Sequence, residues 1–428
     1  MQCFDLRYTK IVVHKNLGYG GVMESRNKYL NIAKATQIGN ASWSLASQYG
    51  LTDLGVEHIG NSYLRDQHQN EFMNMCSCSY LGLEIHPLLV QRAAEYIIKA
   101  GTVNLPTSRI RIRLRMLDEV EDALSDYFDC QALTALSCSA ATVAVLPLLA
   151  AGLLTNGQRP VILFDKHAHF SLNQVKAICG DETEIINCPH NDMNFVEEVC
   201  KKYPLVAYVA DGAYSMGGSA PVADLLKLQE KFGMFLYFDD SHSLSAYGKK
   251  GEGYVRSFTP ELNDRTILVY SLAKAFGANG GGIFMAKDNK YSELIRRFGG
   301  PMSYSQYINP ATIGAAIASL DIHKTSELQL LQEKLYTNIR EFDKRIITDD
   351  IGSYLPIRVV IVGDPDAAID VSKRVYQRGY YTSAVFFPIV AKGKSGLRIM
   401  LRADMQLSDV IRFCDVLTEE VATVLAKK

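Results

Sequence analysis

"ILVYSLAKAFG" spans Ile267–Gly277. An apolar run leads straight into Ser271 and then Lys274, with alanine, leucine and glycine around them. A near-continuous apolar run of this length reads as a strand buried on both faces. Lysine is normally a surface residue. One held among small residues at the end of a buried strand reads as a reactive amine. Three further runs share the pattern: "VILF" (Val161–Phe164), "VAYV" (Val206–Val209) and "FLYF" (Phe235–Phe238). Between two of them, "APVADLLKLQEKFG" (Ala220–Gly233) reads as a helix. Pro221 suits its start and Gly233 its stop, and Leu225, Leu228 and Phe232 share a face. Strand, helix, strand in this order predicts an α/β fold with a large, mostly parallel sheet.

Each run ends in polar residues. They read "DKHAHFS", "ADGAYSMGG", "DDSHS" and "SLAKAFG" in turn. Ligands of open α/β sheets bind beyond the carboxyl ends of the strands. Four strand ends therefore bring Asp, His, Ser and Lys to one crevice.

The rest of the chain narrows the classes. Its 428 residues allow a large core and more than one lobe. The formal net charge of −1 offers neither a nucleic-acid surface nor a polybasic membrane patch. Met1–Asn16 carries no leader pattern. The longest apolar stretch, Ala140–Leu154, contains Pro147, is too short to span a bilayer, and reads as a buried helix. Nine cysteines without paired spacing predict reduced thiols and a cytoplasmic protein. Cys76 and Cys78 lack a second pair, and His167 and His169 lack a third ligand, so no metal site is expected. Toward the C-terminus, "LPIRVVIVGD" (Leu355–Asp364) and "GLRIMLRAD" (Gly396–Asp404) alternate like half-buried strands. The last segment reads as a helix capped by Ser408, with Ile411, Cys414, Leu417 and Val421 on one face. The expected division is an N-terminal arm (1–72), a large domain (73–310) and a smaller α+β domain (311–428).

A lysine that binds an aldehyde cofactor points to pyridoxal phosphate, an electron sink for carbanions. That cofactor needs a carboxylate for its pyridinium, a flat partner for its ring, a donor for its phenolic oxygen, and a helix N-terminus with hydroxyls for its phosphate. Asp239 or Asp240 answers the first need, His169 the second and His242 the third. The turn into the helix at Leu136–Val145, with Ser271, answers the last. Asp240 reads better as a structural acid and His167 as a surface histidine. A serine-hydrolase reading of "SLAK" makes Ser271 the nucleophile and leaves Asp239 and the histidines without a role.

These segments resemble a known family. "CSYLGLEIHP", "DKHAHFSL", "DGAYSMGGSAPV", "YFDDSHS", "GKKGEG", "SLAKAFG" and "GLRIML" are similar, in order and spacing, to the α-oxoamine synthases. The resemblance runs from about Met73 to the C-terminus. It implies a fold type I pyridoxal-phosphate-dependent transferase, a homodimer with sites at the subunit interface. It also implies an acyltransferase that condenses an amino acid with an acyl thioester, on coenzyme A or an acyl carrier protein, in this family usually with loss of carbon dioxide. Under it, Lys274 is the Schiff-base lysine and moves the α-proton. Asp239 holds the pyridinium, His242 and Ser215 the phenolic oxygen, and His169 stacks on the ring. Ser271 binds phosphate, and Arg398 clamps the substrate carboxylate. Arg398 and Arg402 share one face of an alternating strand, and a guanidinium binds a carboxylate with two prongs.

The chain also departs from the family. Cys78 replaces an asparagine that contacts substrate. Ser139 and Ala140 alter the phosphate turn, and Gln306 replaces a threonine that reaches the neighbour's phosphate. Ser241 replaces the alanine between the aspartates and His242, and Asp211 replaces a longer acid. The rival readings are another fold type I reaction, aminotransferase or aldolase-like, and a non-catalytic partner subunit. Such subunits lack the lysine that is present here.

Overall fold

The computed structural model describes residues 28, 29 and 32–427, so the opening stretch Met1–Asn16 lies outside the described residues. The four apolar runs form strands Val161–Asp165, Val206–Asp211, Phe235–Asp239 and Thr266–Ser271, adjacent and parallel. Ile185–Cys188 extends this set in parallel at one edge. Gly281–Met285 and Gln131–Ala135 complete a seven-stranded sheet at the other, joined through antiparallel pairs. Every residue of Val161–Asp165, Val206–Asp211, Phe235–Asp239 and Gly281–Met285 is buried. Continuous apolar sequence is the signature of such two-faced burial. One apolar cluster covers one face, centred on Leu163, Leu236 and Leu268, and another covers the opposite face at Ile162, Val209 and Tyr237. Large buried side chains contribute roughly 1.5–3 kcal/mol each, so the strand ends are held on a rigid platform.

The helix predicted around Leu225 runs Val222–Phe232, with Pro221 before it and Gly233 in the left-handed conformation after it. The apolar stretch around Pro147 is the buried helix Cys138–Ala150. Among the described residues no helix is long and apolar enough to cross a membrane. Helix Pro310–His323 lies against Pro87–Ala100 and Arg115–Phe128. The approach is so close that a Cβ on Gly314 would stand 2.4 Å from the carbonyl oxygen of Arg92.

The C-terminal strands form a three-stranded antiparallel sheet, Ile357–Gly363, Ser395–Met400 and Ser383–Val385, with Ser395–Met400 in the middle. Its central place buries every residue of that strand except the half-exposed Arg398, so the expected alternation is not seen there. The strand also ends at Met400. Arg402 therefore lies beyond it and pairs with Glu84 at 2.8 Å and Asp404 at 2.8 Å instead of sharing a face with Arg398. The last helix spans Leu407–Leu425 and starts one residue before Ser408. Gln406 stands at the cap position without a side-chain bond, which corrects the Ser408 cap. Its buried face centres on Phe413 and Leu417, while Ile411 and Val421 are only half-buried. The strands from Val56 to Asn74 meet Tyr380–Tyr381 in a separate sheet, which ties the N-terminal region to the C-terminal one.

Candidate active site

Three adjacent parallel strands end in aspartate: Asp165, Asp211 and Asp239. Asp165 is fully consumed by local bonds. It accepts from the His167 and Asn191 amides, from His190 Nδ1 at 2.9 Å and from the Tyr208 hydroxyl at 3.0 Å. His167 stacks on His190 with ring centres 4.0 Å apart, so this pair belongs to the support. Asp211 accepts from the His169 amide at 2.9 Å and so fixes His169 in the loop that follows strand Val161–Asp165. Burial, and then the Asp239 carboxylate across the strand pair, push the Asp211 carboxyl well above its ordinary value.

Asp239 is buried and has three hydrogen-bond donors. They are the Ser241 amide at 3.1 Å, Cys138 Sγ at 3.3 Å and Ser171 Oγ at 3.4 Å. No cation pairs with it among the described residues. His169 Nδ1 lies 2.8 Å from the same Ser171 hydroxyl, so His169 and Asp239 share one intermediary.

Asp240 points elsewhere. It accepts from the Val255 amide at 2.9 Å, and its other oxygen is buried without a partner. Burial pushes its carboxyl up to about 7. The folded state therefore keeps a proton that the unfolded chain releases near pH 4. Stability supplied by this group is complete below about pH 4 and falls as pH rises toward 7. Asp240→Asn, which keeps the acceptor for Val255, removes that decline. At pH 8 it unfolds at higher denaturant than the wild type, by an amount on the order of a few kcal/mol. Urea unfolding of both proteins across pH 4–8 checks this; parallel pH curves would contradict it.

Lys274 stands in the turn between Thr266–Ser271 and Gly281–Met285. The turn is closed by bonds from the Gly277 amide to the Lys274 carbonyl and from the Leu272 amide to the Gly280 carbonyl. Gly277 has φ 79°, and a Cβ there would stand 2.5 Å from Leu83. Glycine thus lets this turn press on the "YLGLE" segment, which carries Tyr80. Lys274 Nζ lies 2.8 Å from His242 Nε2. His242 is buried, and burial, then Lys274 and Arg398, hold its pKa well below the ordinary value, so its ring is neutral.

Arg398 approaches from the C-terminal sheet. A guanidinium nitrogen stands 3.9 Å from Cys78 Sγ, and its Nε is buried without a partner. At the other side, helix Cys138–Ala150 begins at Ser137, whose hydroxyl accepts from the Ala140 amide at 3.0 Å. The Ser139 hydroxyl accepts from the Gln174 amide group. Ser271 is half-exposed at its strand end, and its hydroxyl accepts from the Ala273 amide at 3.2 Å. Ser241 is buried behind these groups. Its hydroxyl accepts from the Ser271 amide at 2.7 Å and reaches Cys138 Sγ at 3.3 Å.

Hydrogen bonds thus link Lys274 to His242, and Asp239 to Ser171, His169, Ser241 and Cys138. Ser215, half-buried in the turn closed by the Ala213–Ser219 bridge, has no bond to this group among the described residues. Gln306 is exposed between two helices and has none either. Sequence reasoning overlooked Tyr80, whose hydroxyl is 2.6 Å from His242 Nδ1, as well as Cys138 and Ser171. Tyr80 lies in "CSYLGLEIHP", Ser171 in "DKHAHFSL" and Cys138 in the turn at Leu136–Val145, each beside a residue of more evident chemistry.

A model of aminotransferases of class I and II matches residues 70–417. The chain belongs to that family. Its curated relatives include the 8-amino-7-oxononanoate synthase of Marinomonas sp., 28% identical over 83% of this chain and 87% of the relative. The enzyme of the same name from Thermoanaerobacter pseudethanolicus is 29% identical over 78% and 83%. Among solved structures, the serine palmitoyltransferase of Sphingomonas wittichii superposes with a TM-score of 0.80 at 17% identity, over 93% of this chain and all of that one. That of S. paucimobilis, with a bound PLP–myriocin aldimine, also scores 0.80, at 18% identity over 92% and 99%. The α-oxoamine synthase resemblance and the fold type I architecture are borne out. The protein is a pyridoxal-phosphate-dependent transferase.

The site fits that cofactor. A buried carboxylate without a cation partner suits a pyridinium, and neutral His242 has a nitrogen to offer a phenolic oxygen. Lys274 offers an amine within 2.8 Å of that histidine. A helix N-terminus flanked by Ser139 and Ser271 suits a phosphate.

Proposed function

We propose that the protein condenses an amino acid with an acyl thioester, releasing carbon dioxide and the thiol to give an α-aminoketone. The Arg398 guanidinium, whose Nε is buried without a partner and whose charge acts on His242 beside Lys274, carries this reading, because it suits a substrate carboxylate. When bound, the cofactor supplies an electron sink for the amino acid's α-carbon. Asp239 supplies the negative charge that keeps the cofactor's ring nitrogen protonated. His169 covers the ring, and His242 and Ser215 face the phenolic oxygen. Ser139, the Ala140 backbone and Ser271 receive the phosphate, joined by Gln306 of a second copy. Lys274 Nζ accepts the α-proton and returns it. Arg398 binds the carboxylate in two-pronged fashion, with Cys78 beside it, while Ser241 backs the pocket wall. The acyl donor is a coenzyme A thioester or an acyl carrier protein. The active form is a homodimer in the cytoplasm. Gln306 and the exposed Phe298 and Tyr304 suit burial between two copies.

Arg398→Lys keeps the charge and loses the fork. KM for the amino acid rises roughly 10–100-fold, the size of a lost charged hydrogen bond, while kcat falls less. Steady-state kinetics on the amino acid checks this; an unchanged KM assigns the carboxylate to another group.

Thiol and carbon dioxide release, assayed with panels of amino acids and acyl thioesters, tests the proposal as a whole. Release that needs both substrates supports it. Conversion of the cofactor to its amine form without thiol release makes the protein an aminotransferase instead.

A further inference from the structure

Tyr80 stands behind His242 and has no part in the chemistry above. Its side chain is completely buried, and its hydroxyl is 2.6 Å from His242 Nδ1, on the far side of the ring from Lys274. A neutral imidazole carries one proton, so one ring nitrogen donates and the other accepts. Each arrangement needs a different partner at Nδ1. A charged lysine has donors only. With Lys274 beside Nε2, the proton belongs on Nδ1 and the Tyr80 oxygen must accept it. To hold an anionic oxygen, Nε2 must carry the proton and Tyr80 must donate to Nδ1.

A hydroxyl can do both, because it has one proton and two lone pairs. Met400 Sδ, 4.0 Å from the Tyr80 oxygen, can take the hydroxyl proton in the first arrangement. Burial also pushes the Tyr80 phenol well above its ordinary value, so it stays protonated. The backbone is bent to put the ring there. Tyr80 has φ 53°, in the left-handed region that bulky residues avoid. The Ala403 amide fixes it by donating to the Tyr80 carbonyl at 2.6 Å. Besides Tyr80, the titratable groups acting on His242 are Lys274, Arg398 and His169.

We propose that Tyr80 is a positioning residue that sets the tautomer of His242. Its hydroxyl accepts from Nδ1–H in the free protein and donates to Nδ1 when Nε2 must hold the cofactor's phenolic oxygen. The second half rests on the pyridoxal-phosphate assignment; the first half does not.

The test is nitrogen-15 NMR of the histidine-labelled full chain, free and with added pyridoxal phosphate. His242→Asn assigns the signal, and Tyr80→Phe is compared. The wild type is expected to show the Nδ1–H form when free and the Nε2–H form when loaded. Tyr80→Phe is expected to mix the two and to bind pyridoxal phosphate up to about tenfold more weakly. Wild-type tautomers preserved in Tyr80→Phe overturn the proposal. So does one wild-type tautomer in both states, which needs no variant and decides the matter if Tyr80→Phe does not fold. A wild type that takes up no pyridoxal phosphate refutes the proposed function instead. The free-state comparison of the two proteins then decides the role of Tyr80 by itself.

Discussion

Lys274→Ala leaves a folded protein with at least about 10²–10⁴-fold lower kcat/KM, from lost proton transfer alone. Loss of the cofactor's attachment point adds to that. The fold tolerates the change because the side chain is half-exposed and its hydrogen bond is to His242. Substitutions of that kind usually cost less than about 1 kcal/mol. The turn itself is held by backbone bonds and by Gly277, neither of which the substitution touches. Arginine at this position keeps a charge but has no nucleophilic amine, so Lys274→Arg is expected to be as inactive as the alanine variant. Kinetics paired with thermal unfolding separates the two effects. Activity within tenfold of wild type would remove Lys274 from the chemistry.

The second large effect is at Asp239. Asp239→Asn keeps the shape and an oxygen for the Ser241 amide but removes the charge. The expected loss is on the order of 10²–10³-fold in kcat, the size of one preorganised electrostatic partner. Stability moves the other way. Asp211 and Asp239 sit side by side on paired strands, both buried, and the Asp239 carboxylate adds to burial in raising the cost of ionising Asp211. With Asp239 neutral, the smaller, electrostatic part of the Asp211 shift is lifted, while the larger part from burial remains. Asp239→Asn is therefore expected to unfold at the same temperature as wild type or higher. Site geometry that serves function at a cost in stability is a common trade. A variant both inactive and markedly less stable would point to a structural role for Asp239.

Much of this was legible in the sequence, because buried parallel strands write themselves as continuous apolar runs and their polar ends follow at once. Asp239, His169, His242, Ser271 and Lys274 were all found that way. What stayed hidden depends on the third dimension. Tyr80 reaches His242 across 162 positions of chain from a left-handed backbone that no local pattern announces. Cys138 looked like a helix residue, yet its position at the helix start turns its thiol onto Asp239. Arg402 fitted an alternating pattern, but the strand stops at Met400 and two acids take the guanidinium. Gln306 and Ser215 came from family resemblance, and a single chain does not join either to the Lys274 cluster.

The central claim is that Lys274 binds the cofactor covalently. The direct measurement is borohydride reduction of the protein with pyridoxal phosphate, followed by peptide mapping by mass spectrometry. The expected result is a yellow protein that loses its colour on reduction and carries the added mass on the peptide containing Lys274. Lys274→Ala is expected to show neither the colour nor the mass. A label on another lysine, or a wild type that takes up no label, would contradict it.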